Sequence, residues 1–194
     1  MNIVELLLDE ESENAGIEAI SIVESGAINS DFIAMKEHEV KMAKVNEEEK
    51  LLMGAALIPN KTIYRKNGDD EYYVYFSQET ISKASQLFLK QGNQAKSTLE
   101  HEMRLNDLTV VESWLVDDTE KDKSAYYGLS VPVGTWMVSV KVDNDKVWND
   151  FVKTGKVKGF SIEGYFADKT ELKAVEVDED DVLIKSIMEI LENA

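Results

Sequence analysis

Short apolar runs that end at turn-forming residues constrain the fold of this chain most strongly. Residues 51–58 are mainly apolar and stop at Pro59, and the aromatic run 72–76 follows a turn-forming segment. Residues 136–142 alternate most clearly, because every second position is apolar and would face one side of a strand. The pattern predicts a series of strands at residues 17–23, 51–58, 72–76, 109–116, 136–142 and 159–166.

Two helical segments interrupt this series. Residues 78–90 carry an apolar stripe at helical spacing, with Ser77 as the N-cap and Gly92 at the C-terminal end. Asp143 or Asp145 is predicted to cap a shorter helix that ends at Gly155. A third, amphipathic helix is predicted over residues 182–191, and four acidic residues precede it. Because strands outnumber helices, the sequence predicts an α+β fold that is mostly β.

Charge divides the 194 residues into three parts. The net charge of −17 is made up of −9 over residues 1–50, −2 over 51–167 and −6 over 168–194. This predicts an acidic N-terminal extension that includes the first strand, a core at 51–167, and an acidic tail with the amphipathic helix. Residues 1–15 and 36–50 are predicted to be polar segments, mostly helical or loose.

Composition excludes several functions. Binding to the phosphate backbone needs clustered Lys and Arg, so we expect no nucleic acid partner. No apolar run approaches the roughly 20 residues that span a bilayer, so we expect no membrane association. The chain lacks Cys and has only His38 and His101, which excludes thiolate and multi-His zinc sites. It also lacks a phosphate-binding glycine motif, and we expect neither a metal nor a cofactor.

His101 and Ser161 are the first candidates for chemistry. If residues 98–103 are extended, His101 lies on the apolar side with Leu99 and Met103, where its protonation is adjustable. The alternative is an ordinary histidine that hydrogen bonds to the backbone. Ser161 lies between Gly159 and Gly164, and such glycines admit a close backbone, a peptide substrate or an oxyanion. A strand serine beside glycine is, however, usually structural.

Glu112 is the third candidate, because it interrupts an apolar strand where an unpaired carboxylate is unfavourable. It would either orient an imidazole or face water on an edge strand. Glu163 and Asp168 compete with it for the same role.

Read in order, seven segments between residues 16 and 168 resemble the bacteriophage prohead (head maturation) serine proteases of the XkdF-like group. These segments are residues 17–36, 53–65, 72–76, 100–101, 110–114, 134–138 and 156–166. The group is related to the herpesvirus assemblins, so the resemblance implies a compact β-barrel with flanking helices. It also implies that His101 is the catalytic histidine and Ser161 the nucleophile.

The third catalytic residue does not follow directly from the resemblance. In assemblins it is a histidine after the serine, and this chain has no histidine beyond His101. We favour Glu112 as its replacement, while Glu163, Asp168 or a Ser/His dyad remain alternatives.

The resemblance implies a serine endopeptidase whose substrates are the phage scaffold and major capsid proteins, together with its own ends. Such an enzyme would work in the host cytoplasm, inside the immature capsid. The acidic tail would cover the barrel or lead a contact in a homo-oligomer, and the alternative is that it is a packaging or docking element. The alternative is a non-catalytic capsid-assembly or structural protein of similar fold.

Overall fold

Strands dominate the structure, which is a computed structural model that describes residues 2–9, 12, 14–24, 43–46, 49–68 and 70–169. The strands in these ranges are β1 Asn2–Leu7, β2 Gly16–Val23, β3 Ala43–Asn46, β4 Leu51–Leu57, β5 Ile63–Asn67, β6 Asp70–Phe76, β7 Ser97–Leu99, β8 Met103–Leu105, β9 Leu108–Leu115, β10 Trp136–Val142, β11 Gly159–Tyr165 and β12 Ala167–Asp168. The helices are α1 Gln78–Lys90, α2 Lys123–Tyr126 and α3 Asp145–Val147, with a 3-10 turn at Asn93–Ala95 and a π-helical turn at Trp148–Val152.

The strands form three four-stranded sheets. Their orders are β12-β1-β6-β5 in the first sheet, β11-β2-β7-β8 in the second and β3-β4-β10-β9 in the third. The predicted α+β, mostly β fold is therefore confirmed. Pairings among the described strands close none of the sheets into a barrel, so the assemblin-like barrel stays an expectation from the resemblance.

The core lies where α1 and the sheets meet. Most of β10 is buried, and Trp136 at its start packs edge-to-face on Phe88 of α1, with ring centroids 5.4 Å apart. Edge-to-face packing of this kind suits the opposite charges of ring faces and ring edges. β11 also lies against β4, which brings the second and third sheets together.

The structure confirms the predicted limits and caps of helix α1. The Ser77 side chain accepts a hydrogen bond from the Thr80 backbone N–H, and Gly92 has the left-handed φ of 73°. Local capping and periodicity decide this helix, and both are readable from sequence.

Three local predictions need correction or fall outside the structure. Residues 1–15 and 36–50 contain strands β1 and β3, which the sequence did not predict, because each is held by pairing with a distant strand. Asn144, rather than Asp143 or Asp145, caps α3, since its side-chain oxygen accepts from the Val147 N–H. The predicted helix over residues 182–191 lies outside the described residues.

The predicted domain limits remain a prediction. Strands β1, β2 and β3, from the acidic N-terminal region, pair with β6, β11 and β4 of the predicted core. In the described part of the chain, no helix is long and apolar enough to cross a bilayer.

Candidate active site

The second sheet places polar side chains on the face opposite the core. Ser161 on β11 is directly opposite Ser21 on β2, which in turn is in register with Thr98 on β7. Directly opposite residues point to the same side of a sheet, so the three hydroxyl side chains form a row. Glu163, two residues from Ser161 on the same strand, shares this face, whereas Phe160 packs into the core on the other.

A bulge in β2 makes this division possible. The register shifts between Glu163 and Gly164, which leaves Glu18 as the extra, exposed residue of β2. An extra residue reverses the alternation of side chains. Ile17 therefore joins Ile20 in the core, while Ser21 faces the polar side.

His101 lies in the turn between β7 and β8, not in an extended segment. Glu100 and His101 both have left-handed backbones, with φ of 52° and 59°, and the Glu102 N–H bonds to the Leu99 carbonyl at 3.1 Å. Two successive left-handed residues are typical of a type I′ hairpin turn. The extended arrangement predicted for residues 98–103 is wrong here, because the turn lacks the Asn-Gly pair that signals it.

The His101 ring contacts Glu163. His101 Nδ1 lies 3.1 Å from Glu163 Oε1, and the same oxygen accepts a hydrogen bond from the Thr98 hydroxyl. An ionised carboxylate only accepts hydrogen bonds, so this contact assigns the donor role to Nδ1 and leaves Nε2 as the ring nitrogen that does not contact Glu163. The side chains of His101 and Glu163 are 39% and 30% exposed, which places the pair at the protein surface.

Ser161 lies beside this pair but is more deeply placed. The residue is 7% exposed, and its Cα is about 7 Å along the strand from that of Glu163, at two strand residues. Its hydroxyl makes no hydrogen bond to His101 or to another described residue. The structure therefore brings the predicted serine and histidine to one face of one sheet without joining them.

Glu112 has other partners. Its Oε2 lies 2.5 Å from both Ser139 Oγ on β10 and Lys123 Nζ on α2. The Lys123 ammonium and the Ser139 hydroxyl lower the pKa of the Glu112 carboxyl below its usual value. Glu112 belongs to the third sheet, and its partners there account for a carboxylate in an otherwise apolar strand.

Asp168, the other competing carboxylate, lies on β12. Its Cα is paired with that of Leu6 on β1, so it belongs to the first sheet. Of the carboxylates considered for orienting His101, Glu163 is the one that contacts the ring in the described structure.

Gly164 has a structural role that limits the sequence-based interpretation of the glycines around Ser161. A Cβ at this position would lie 2.1 Å from the Gly16 carbonyl oxygen and 2.8 Å from the Ile17 Cα. The open side of Gly164 is therefore filled by β2 itself, rather than reserved for a substrate or an oxyanion.

Ser21 and Thr98 were not predicted as site residues from the sequence. Ser21 is fully buried; its Oγ accepts the His101 backbone N–H at 3.0 Å and lies 3.4 Å from the Thr98 carbonyl oxygen. The available signal was a single hydroxyl in the apolar run 17–23. A buried polar group needs a partner, but sequence alone does not identify that partner.

The remaining chemistry of the described residues is limited. Within the ranges given above, no group of three or more His, Asp or Glu side chains is arranged to hold a metal ion.

Comparison with known proteins gives one match. The model of the family described as "Putative phage serine protease XkdF" matches residues 39–171, which is more than two thirds of the chain. That range contains His101, Glu163 and Ser161. Searches of curated proteins and of solved structures found no match.

Proposed function

Because the chain belongs to the family of the phage serine protease XkdF, we propose that it is a serine endopeptidase that cleaves scaffold and capsid proteins during maturation of the phage prohead. It would act in the host cytoplasm, inside the immature capsid, and would also trim its own ends. An assemblin-like barrel built from the three sheets is part of this proposal.

One observation carries the assignment of the site. The imidazole of His101 is hydrogen bonded through Nδ1 to Glu163, which lies two residues from Ser161 on the same face of β11. In serine proteases, a carboxylate at Nδ1 holds the ring so that Nε2 faces the nucleophile. We therefore assign Glu163, instead of Glu112, as the orienting carboxylate.

The reaction is an acyl transfer in two halves. Nε2 of His101 takes the proton from Ser161 Oγ, and the oxygen attacks the peptide carbonyl to give a tetrahedral intermediate. The imidazolium then protonates the leaving amine, and the C–N bond breaks to leave an acyl-enzyme. Water, deprotonated by the same nitrogen, hydrolyses the ester and restores the serine.

The attack requires a rearrangement in the free protein. The His101–Glu163 pair is partly exposed, whereas Ser161 is buried and makes no hydrogen bond within the described residues. Catalytic hydrogen bonds are often long in the absence of substrate and shorten when it binds. Rotation of the imidazole toward Ser161 is the motion that the proposal requires.

The experiment is co-expression of the chain with its cognate coat and scaffold proteins, with the products measured by intact mass. The parent should cleave them, and Ser161→Ala and His101→Ala should each reduce cleavage by about 10²-fold or more. His38→Ala is the matched control, because it removes the other histidine of the chain. Parental cleavage by Ser161→Ala would refute the assignment.

A non-catalytic capsid-assembly or structural protein of similar fold is the second candidate. The Ser161 side chain favours it, because the residue is 7% exposed and its hydroxyl makes no hydrogen bond to His101. A fluorophosphonate probe distinguishes the two, since it reacts with an activated serine. The protease predicts a covalent adduct on Ser161 that is absent from His101→Ala, and the structural protein predicts no adduct on either chain.

A further inference from the structure

The backbone of His101 is held in an unfavourable conformation. Residues with side chains disfavour the left-handed region, yet Glu100 and His101 both occupy it. Asn and Gly are the usual residues of such a turn, and neither is present. The surrounding contacts must therefore fix the turn.

Strand β2 supplies several of these contacts. The Ile22 carbonyl accepts the Glu100 N–H at 3.2 Å, and the Glu24 N–H donates to Glu100 Oε1 at 2.5 Å. Both of these bonds hold Glu100. The Ser21 hydroxyl is the β2 group that bonds to His101, through its backbone N–H at 3.0 Å.

Ser21 also faces the proposed nucleophile. Its Cα is paired with that of Ser161 across β2 and β11, and it is fully buried. One side chain therefore links the strand beside Ser161 to the backbone of the histidine. We propose that Ser21 is a positioning residue, which sets the place of the His101 ring relative to Ser161. This inference rests on the proposed protease function.

Ser97 provides a matched control. It lies on β7 in the same sheet, is buried like Ser21, and its Oγ has no hydrogen-bond partner among the described residues. Removal of an unpartnered hydroxyl does not break a bond, whereas removal of the Ser21 hydroxyl leaves the His101 N–H unsatisfied. The two Ser→Ala variants thus remove the same atom from two buried positions of one sheet, Ser97 in register with Ile20 and Ser21 in register with Thr98.

The experiment measures geometry and reactivity separately. Amide hydrogen exchange by NMR reports the bond from His101 to Ser21, and the rate of labelling by a fluorophosphonate probe reports the reactivity of Ser161. In Ser21→Ala, the His101 amide should exchange at least about tenfold faster than in the parent. Labelling should slow by roughly 10- to 100-fold through the maximal rate, with little change in probe affinity. Ser97→Ala should match the parent in both.

Three other outcomes would contradict either the positioning role of Ser21 or the proposed function. Labelling of Ser21→Ala at the parental rate would overturn the positioning role while leaving the protease proposal intact. Equal acceleration of exchange throughout the second sheet would also overturn it, because that result indicates a general loss of stability. A parent that does not react with the probe would refute the proposed function, and this inference with it.

Discussion

Two glutamates in similar sequence settings have different surroundings in the folded chain. Glu112 and Glu163 both interrupt strands that are otherwise largely apolar. Glu112 is neutralised by Lys123, whereas Glu163 receives hydrogen bonds from the Thr98 hydroxyl and the His101 ring. A carboxylate that is already paired with an ammonium exerts a weaker negative potential on a nearby imidazolium. In the proposed mechanism, Glu163 is thus better suited than Glu112 to stabilise a protonated His101.

Removing the charge of Glu163 should reduce activity. We expect Glu163→Gln to slow both cleavage and fluorophosphonate labelling by about 10²- to 10⁴-fold, because the ring loses the group that orients it and stabilises its charged form. The loss should fall on kcat, with KM nearly unchanged, since Glu163 acts through His101. Glu112→Gln should retain the parental kcat. The reverse pattern would restore Glu112 as the third catalytic residue.

Glu112 should instead make stability dependent on pH. Its pKa is lowered in the folded state by hydrogen bonds from Lys123 and Ser139, so the folded protein favours the ionised form. The resulting stabilisation is complete above the usual pKa of 4.5 and is lost as the pH falls through the lower folded-state value. Because the carboxylate is partly exposed, the contribution should be below about 1 kcal/mol.

Urea denaturation of the parent and Glu112→Gln measures this effect. The parent should unfold at the higher urea concentration from pH 6 to 8, and the difference should shrink below pH 4.5. A difference that grows in acid would contradict the sign of the effect.

At the scale of the elements, sequence predicts what is local and misses what is distant. Helix α1 and strand β10 follow from periodicity and capping over adjacent residues, and both match their predicted bounds. Strand β1 was not predicted, because it is specified by parallel pairing with β6, about 70 residues away. Parallel pairs carry no short turn that would mark them in the sequence.

The same distinction applies to the site. His101 and Ser161 were selected by their chemistry, but their common location depends on β2, which lies between β7 and β11. Glu163 remained one of several candidate acids, because the turn that brings the ring to it has no glycine or asparagine. Sequence patterns report on neighbouring residues. The contacts of His101 with Glu163 and with Ser21 join residues that are 62 and 80 positions apart in the chain.

Gly164 gives a test of how β2 and β11 pair. We expect Gly164→Ala to lower the free energy of unfolding by at least about 3 kcal/mol, because its methyl group would overlap the Gly16 carbonyl and the strands would have to separate. Urea denaturation measures the loss. Activity should fall as well, since β2 holds the turn that carries His101.

Gly128→Ala is the matched control for that prediction. Gly128 has a φ of +77° but nothing within 4 Å of an added Cβ, so it tests conformational strain alone. Its cost should be about 1–2 kcal/mol. If the two variants lose equal stability, the close approach at Gly164 is not the cause.

At the scale of the whole molecule, strand β1 pairs the N-terminal end of the described chain with its C-terminal end, at β12. It lies between β6 and β12, and the ammonium of Lys169, next to β12, pairs with Glu5. Phe166, between β11 and β12, packs edge-to-face on Phe76 of β6 with centroids 4.8 Å apart. The first sheet thus anchors the chain immediately after the strand that bears Ser161.

Truncation from either end should therefore have unequal effects. Removing residues 1–9 deletes β1, which leaves β6 and β12 without their shared neighbour and Lys169 without the Glu5 carboxylate. We expect a melting temperature at least about 5 °C lower, which corresponds to roughly 1–2 kcal/mol in a domain of this size. Removing residues 172–194 keeps every described strand and the full range of the family match, so we expect a smaller fall in melting temperature than from the first truncation. Differential scanning calorimetry of the two truncated chains beside the parent decides the matter. Equal losses from both ends would show that β1 does not anchor the fold in the way its pairing indicates.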